Sequence, residues 1–462
     1  MPSSFPSRLT DTIAALATPP GRSAVALIRL SGRDGLGVAG RVLRPFAADP
    51  PRMARRARAV GSPGGETLDE VLYTVYRAPA SYTGEDLVEI GTHGGLLVPS
   101  EVLGALLAAG ARLALPGEFT RRAMLNGKVD LLQAEAIADL VDATAPAQRR
   151  AALGQLDRGL SERISALREQ VLALEALVGY EIDFPEEDSG PVAPERVDRA
   201  VEDLRAALLG LLRTAGEGER LREGALAVIA GRPNVGKSSL FNALLGSERA
   251  IVTEIPGTTR DAIEASATCN GFPFRLVDTA GLRESADRVE RLGIEVSRRY
   301  LAAADIVILC AEAGRELNQD ERRFGADFGE RLILVWTKSD LVGELGRAWA
   351  SRGEPGERSI AVSAVTGAGL PELRAALARV AFTTLAQQGD VEPVVTRARH
   401  RAALERALAE VGDFAGARRA GLEAAVAGTH LRAAVGALED VIGLVTTDDI
   451  LDRVFSSFCV GK

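Results

Sequence analysis

The sequence predicts a multidomain chain of α/β and α class. It has an N-terminal α/β domain, a helical domain built from two separate chain segments, and a parallel-sheet α/β domain inserted between those segments. Three observations predict this. The chain has 462 residues, and at roughly 150 residues per domain three is the natural number. Leu153, Leu156, Leu160, Ile164, Leu167, Val171 and Leu174 recur at steps of three and four, the period of a long amphipathic helix. That period returns at Leu404, Leu408 and Val411, and at Leu431, Val435, Leu438 and Ile442, after a block of alternating strand and helix signals.

In chain order, residues 11–125 mix short apolar runs such as Val25-Ala26-Leu27-Ile28 and Leu87-Val88-Glu89-Ile90 with Gly and Pro punctuation, an α/β or α+β texture. The helical pattern begins near Ala147, breaks at Asp183-Phe184-Pro185-Glu186-Glu187-Asp188 and resumes from about Pro194 to Thr214. Leu226-Ala227-Val228-Ile229-Ala230 reads as the strand that opens the inserted block, which runs to about Val380. The expected boundaries are 1–126 for the N-terminal domain, 127–220 and 383–462 for the two helical segments, and 221–382 for the insertion.

Composition narrows the function classes. Lys and Arg total 55 against 63 Asp and Glu, a net charge of −8, which argues against a generally basic nucleic-acid-coating surface. The three cysteines, Cys269, Cys310 and Cys459, and the three histidines, His93, His400 and His430, are far apart. They suit neither a disulfide framework nor a zinc cluster. With no secretory pattern at the N-terminus and no apolar run of about 20 residues, a soluble cytoplasmic protein is expected. Only four of the cations are lysine: Lys128, Lys237, Lys338 and Lys462. Such scarcity suggests sites that need a compact ammonium rather than a planar guanidinium.

Two of these lysines fall in nucleotide-binding motifs. Gly231-Arg232-Pro233-Asn234-Val235-Gly236-Lys237-Ser238 follows a strand signal and opens a helix near Ser238, the context of a phosphate-binding loop. Asn234, Val235, Gly236, Lys237, Ser238 and Ser239 would line it, with backbone N–H groups around the phosphates. Lys237 would reach the β- and γ-phosphates, and Ser238 would offer an oxygen to Mg²⁺. Asp278-Thr279-Ala280-Gly281 follows the strand Phe274 to Val277, where a carboxylate near Mg²⁺ and a glycine amide facing the γ-phosphate are needed. Thr258 and Thr259 lie between the two motifs, where a switch segment offers a threonine, Thr259, to Mg²⁺. Thr337-Lys338-Ser339-Asp340 follows the strand Leu332 to Trp336. Asp340 can accept from the N1 and N2 hydrogens of guanine, a pairing adenine cannot make, while Lys338 lies along the base. Ser363-Ala364, after a short strand Ser359 to Val362, completes the base pocket. These motifs in this order predict a GTPase.

The order resembles the Era-like branch of the translation-factor-related GTPases, with Thr337 where that branch usually has Asn. The missing amide is expected to lose a contact to the purine and one to the phosphate loop. Leu282, where a glutamine would orient the attacking water, cannot do so. Asn234 and Ile255-Pro256-Gly257-Thr258-Thr259 resemble the potassium-activated subgroup. That resemblance implies K⁺ held by Asn234, Thr253, Ile255 and Thr258, and water positioned by Glu290.

The flanks extend the resemblance. Ala17-Thr18-Pro19-Pro20-Gly21-Arg22, Ser81-Tyr82-Thr83-Gly84-Glu85-Asp86, His93-Gly94-Gly95, Pro116-Gly117-Glu118-Phe119-Thr120, Leu125-Asn126-Gly127-Lys128 and the tail Phe458-Cys459-Val460-Gly461-Lys462 are similar to the MnmE (TrmE) family of tRNA-modification GTPases. The resemblance runs from residue 11 to 462. It implies an N-terminal domain that binds 5-formyltetrahydrofolate or a related folate through Arg29, Glu89, Lys128 and Lys462, and a homodimer. It further implies an FAD-carrying partner of the MnmG type, and addition of an aminomethyl or carboxymethylaminomethyl group to C5 of the wobble uridine of certain tRNAs. Cys459 is the candidate nucleophile, and tRNA is expected to be bound mainly through the partner. Two other classes compete. A ribosome-assembly GTPase would carry a basic tail or a KH-type Gly-x-x-Gly loop; the sequence has no basic tail and no convincing loop of that type. A one-carbon transferase with a regulatory GTPase would turn over folate without tRNA.

Overall fold

A computed structural model describes residues 11–61, 65–183, 194–246, 264–278, 298–342, 358–388, 393–444, 448–456 and 458–461. The chain forms two compact units, residues 1–138 with 442–462, and residues 139–441.

The first unit is built on a seven-stranded sheet. Its strands are β1 (Ile13–Leu16), β2 (Gly21–Ser31), β3 (Leu43–Arg44), β4 (Arg55–Val60), β5 (Thr67–Tyr76), β6 (Leu87–Gly95) and β7 (Arg112–Leu113), in the order β3-β4-β5-β6-β2-β1-β7. All neighbouring pairs are antiparallel except β1 with β7. Ile28 and Leu30 of β2, Val88 and Ile90 of β6, and Tyr73 and Val75 of β5 are buried with Val38 and Val42 of helix Gly35–Val42 and Val102 and Leu106 of helix Leu97–Ala108. The two-residue period leaves Arg29, Glu89 and Leu72 on the opposite face. Helix Asp448–Ser456 also belongs to this unit, where Leu451, Phe455 and Phe458 pack against Leu131 and Ala134. Gly117 makes that packing possible: its φ is +69°, and a Cβ there would lie 2.7 Å from the Phe455 carbonyl oxygen.

The second unit contains a six-stranded sheet of β8 (Ala225–Gly231), β9 (Glu264–Cys269), β10 (Phe272–Asp278), β11 (Ile306–Glu312), β12 (Leu332–Thr337) and β13 (Ser359–Ala361), ordered β13-β12-β11-β8-β10-β9. It is parallel apart from the edge strand β9. Strands β8, β11 and β12 are continuous apolar runs because both faces are covered. Ile229, Ile308 and Val335 pack with Leu240, Leu373 and Leu377 on one face, while Val228 and Val307 pack beside Tyr300 and Phe324 on the other. Long helices Gly159–Asp183, Pro194–Glu223, Ala398–Arg419 and Ala424–Ile442 supply the helical part.

One expectation needs correcting. The apolar period from Leu153 to Leu174 does not form a single helix: Pro146–Leu156 and Gly159–Asp183 are separate. Arg158 between them has a φ of +68°, a left-handed conformation that ends an α-helix. Leu153 is consequently exposed, whereas Leu160, Ile164, Leu167, Val171 and Leu174 are buried.

Candidate functional site

The phosphate-binding loop joins β8 to helix Lys237–Gly246. Gly231 starts it with a φ of +143°, and a Cβ there would lie 2.5 Å from the Cys310 carbonyl oxygen of β11, so only glycine fits. Asn234 takes a φ of +59°, which Asn tolerates better than most side chains, and Gly236 one of +97°. Lys237 is buried, and its Nζ donates to the carbonyls of Gly231 at 3.0 Å and Arg232 at 2.6 Å. The ammonium is therefore held over the loop's backbone cradle, at the end of a helix whose N-terminal dipole also favours anions. Ser238 Oγ donates to Asp278 Oδ2 at 2.7 Å. Asp278 ends β10 beside β8, so the parallel pairing of these strands is what brings hydroxyl and carboxylate together. Two hard oxygen donors at this spacing suit Mg²⁺. Cys310 sits beneath them, its thiol pushed up to about 12 by burial, which keeps it a neutral packing group.

The base-side motifs converge at the carboxyl ends of β12 and β13. Lys338 has a φ of +56°, and its Nζ pairs with Glu312 Oε1 at 3.2 Å. Asp340 is exposed in the short turn Ser339–Leu341. The Ser339 amide donates to the Val362 carbonyl at 3.2 Å, tying the Asp340 loop to the loop of Ser363 and Ala364. Buried Ser363 accepts the Thr366 amide at 3.1 Å, which shapes that second loop. Ser239 lies on the helix that follows Lys237.

Thr337 departs from expectation. Its hydroxyl lies 2.5 Å from the Val235 carbonyl and 3.1 Å from the Ala311 carbonyl, so the link between β12 and the phosphate loop is present. The hydroxyl is short but buried directly beneath the loop, close enough to donate without the longer Asn side chain. Thr253, Ile255, Thr258, Thr259, Thr279, Ala280, Gly281, Glu290 and Lys462 lie outside the described residues.

In the first unit, Arg29 of β2 stands directly opposite Glu89 of β6. Arg29 Nε donates to Glu89 Oε1 at 3.0 Å, and Tyr76 Oη donates to Glu89 Oε2 at 3.4 Å. The Arg29 guanidinium lies over the Tyr82 ring at 5.4 Å, a favourable cation–π distance. Burial and the neighbouring Glu89 carboxylate both raise the Tyr76 hydroxyl above its ordinary range. Arg29 Nη1 also donates to the Gly461 carbonyl at 3.2 Å. Gly461 has a φ of +97°, and a Cβ there would lie 2.6 Å from the Leu16 carbonyl. The Gly117 amide donates to the Cys459 carbonyl at 3.4 Å, and the Cys459 side chain is exposed. The structure thus brings Arg29, Glu89 and the backbone of the tail together. Lys128 Nζ donates to the Pro79 carbonyl at 3.1 Å, in the connection between β5 and β6 that also carries Tyr82.

Sequence reasoning missed Tyr76, Tyr82 and Gly461 as members of this cluster. Tyr82 and Gly461 stand within quoted motifs, but only strand pairing reveals what they face.

The family profile described as "MnmE helical domain" matches residues 131–459, and that described as "GTP-binding protein TrmE N-terminus" matches residues 12–128. The chain is 43% identical to the tRNA modification GTPase MnmE of Moorella thermoacetica, covering 98% of this chain and all of that one. It is 41% identical to the corresponding protein of Aquifex aeolicus, covering 98% and 100%. For that of Enterococcus faecalis the figures are 39%, 98% and 98%.

Proposed function

The chain belongs to the MnmE family of tRNA-modification GTPases, and from that premise we propose that it hydrolyses GTP to GDP and phosphate while modifying wobble uridine. The observation that carries the GTPase half is the pairing of Ser238 with Asp278 beside the buried, loop-held Lys237. Ser238 and Thr259 would hold Mg²⁺, which supplies charge neutralisation for the phosphates. Lys237 orients the β- and γ-phosphates, Asp340 selects guanine, and Lys338, Ser363 and Ala364 enclose the base. K⁺ at Asn234, Thr253, Ile255 and Thr258 would stimulate turnover, and Glu290 would orient the attacking water. Thr279, Ala280 and Gly281 form the segment that reads the γ-phosphate, and its release after hydrolysis would let paired GTPase domains separate.

The modification half rests on the first unit. Arg29, Glu89, Lys128 and Lys462 would bind the folate: a carboxylate suits the N–H edge of a pterin, and cations suit a glutamate tail. The docked tail supports this reading, because Gly461 binds Arg29 and brings the exposed thiol of Cys459 into the same unit. The folate's one-carbon unit would supply the methylene attached to C5 of the wobble uridine of certain tRNAs. A separate amine co-substrate of the ammonia or amino-acid class would supply the nitrogen, with any carboxymethyl carbons, that completes the (carboxymethyl)aminomethyl group. The MnmG-type FAD partner would supply the redox step and most of the tRNA surface. A homodimer through the outer sheet face fits the row Leu27, Gly91 and Leu72, with Val25 and Leu72 each about 60% exposed. No helix among the described residues is long and apolar enough to cross a membrane, and the cytoplasm is the proposed compartment.

The test is mass spectrometry of tRNA nucleosides from a strain lacking this gene, complemented with the wild type or with Cys459→Ser. The modified wobble uridine should vanish without the gene and return only with the wild type. Restoration by Cys459→Ser would remove the thiol from the reaction, and an unchanged deletion strain would overturn the proposal.

A further inference from the structure

Helix Pro146–Leu156 precedes the GTPase block by about seventy residues in sequence, yet it is part of that block's core. Buried Ala147 and the adjacent Ala151 pack in the cluster that contains Val235, Leu240, Phe274 and Leu276. The Ala147 amide donates to the carbonyl of Gly271, in the turn between β9 and β10, at 3.0 Å. Strand β10 starts beside this turn and ends at Asp278, the carboxylate of the nucleotide site.

The same helix grips the helical part at two further points. Gln148 Nε2 donates to the Arg222 carbonyl at 3.0 Å, at the end of helix Pro194–Glu223, through which the chain enters the GTPase block. Its Oε1 accepts the Thr144 and Ala145 amides, which fixes the side chain. Buried Gln155 donates through Nε2 to the Val394 carbonyl at 2.9 Å and to Thr396 Oγ1 at 3.1 Å, on the segment by which the chain leaves. Asp139 adds a clasp, accepting from Arg222 at 3.1 Å and Arg397 at 2.7 Å. Alongside lies a cavity of about 300 Å³ lined by Asp139, Ala151, Gln155, Leu221, Arg222 and Arg275. A packed interior resists displacement, so open volume on one side of the helix lets it shift without disrupting the core.

We propose that helix Pro146–Leu156 is the element that carries the nucleotide state of the GTPase sheet to the helical scaffold, with Gln148 and Gln155 as its two grips. It rests on the GTPase reading above. A change at Asp278 is passed along the rigid strand β10 to the Gly271 turn, then through Ala147 to the helix. The two glutamines deliver it to the incoming helix and the outgoing segment together.

The test is amide hydrogen exchange on the full chain with GDP, and with GDP plus aluminium fluoride, for the wild type and for Gln148→Ala with Gln155→Ala. GTP turnover is measured in parallel. In the wild type, exchange in 146–156, 218–224 and 393–397 should differ between the two nucleotide states. In the variant, the difference should persist in 146–156 but collapse in the other two segments. Turnover should stay within about twofold, while tRNA modification falls by about tenfold or more, the scale of an ordinary coupling energy. Gln148→Ala alone, at a more exposed position, should give an intermediate loss and guards against misfolding of the double variant. Identical exchange in 146–156 in both states of the wild type, or full modification by the double variant, would overturn the coupling. Failure of the wild type to turn over GTP would instead overturn the GTPase reading.

Discussion

Thr337 shows how one residue can look like a defect in sequence and act as a joint in structure. Its hydroxyl lies within reach of the Val235 and Ala311 carbonyls, and the residue is buried. Thr337→Val keeps the shape but removes the hydroxyl, whose single proton donates to the Val235 or the Ala311 carbonyl. An unsatisfied buried acceptor costs roughly 1–3 kcal/mol, so GTP affinity should fall by about tenfold or more in isothermal titration. Thr337→Asn restores the amide that can meet the purine and should bind GTP more tightly than the wild type. Equal affinity in all three proteins would show that this joint does not serve the nucleotide.

At the scale of elements, glycines decide where the C-terminal tail lies. Helix Asp448–Ser456 presents Phe455 against Gly117, and the turn after Phe458 runs Gly461 along the end of β1. Both contacts leave no space for a Cβ. Gly461→Ala should lift the tail from Leu16 and break the bond from Arg29. An error of about 1 Å in reacting geometry can cost on the order of 100-fold. Modification by Gly461→Ala should therefore fall steeply while GTP turnover by the other unit stays at the wild-type rate. Wild-type modification would show that tail placement does not matter. The nucleotide site obeys a similar logic at this scale. Its loops follow β8, β10, β12 and β13, so parallel strand order assembles in space what the chain spreads from Asn234 to Ala364.

For the whole molecule, acid should open the first unit through a buried ion network. Glu118 and Arg122 are almost fully buried and pair at 2.9 Å, with Arg112 at 2.7 Å from Glu118 and Asp11 at 2.8 Å from Arg122. Burial pushes the Glu118 carboxyl up, but Arg112, the Leu115 amide and Arg122 outweigh it and hold the group below its usual range. The hydrogen bond from Arg112 likewise holds Asp11 low. Carboxyls depressed in the folded state stabilise it above their unfolded pKa and lose that contribution as pH falls through the folded value. Calorimetry of the full chain should show a transition that weakens below about pH 4.5. Glu118→Gln should lower that transition at neutral pH by about 3 kcal/mol, the cost of breaking a buried pair, and flatten its acid dependence. An unaltered acid profile in Glu118→Gln would assign the effect to other carboxylates.

The sequence by itself determined the elements whose chemistry is local. The phosphate loop, the Asp340 turn and the apolar runs of β8, β11 and β12 can be read because glycine spacing, a following helix and double-sided burial all act over a few residues. The family is legible for the same reason, since its motifs are short contiguous strings. Tertiary structure alone decided what depends on distant chain segments meeting. It placed the Thr337 hydroxyl under Val235, set Arg29 opposite Glu89 beside Gly461, and turned the leucine period after Ala147 into two helices. The first of those helices left the helical pattern for the GTPase core. Periodicity states that a helix has an apolar face, but which core that face joins is settled by competition for burial across the folded chain.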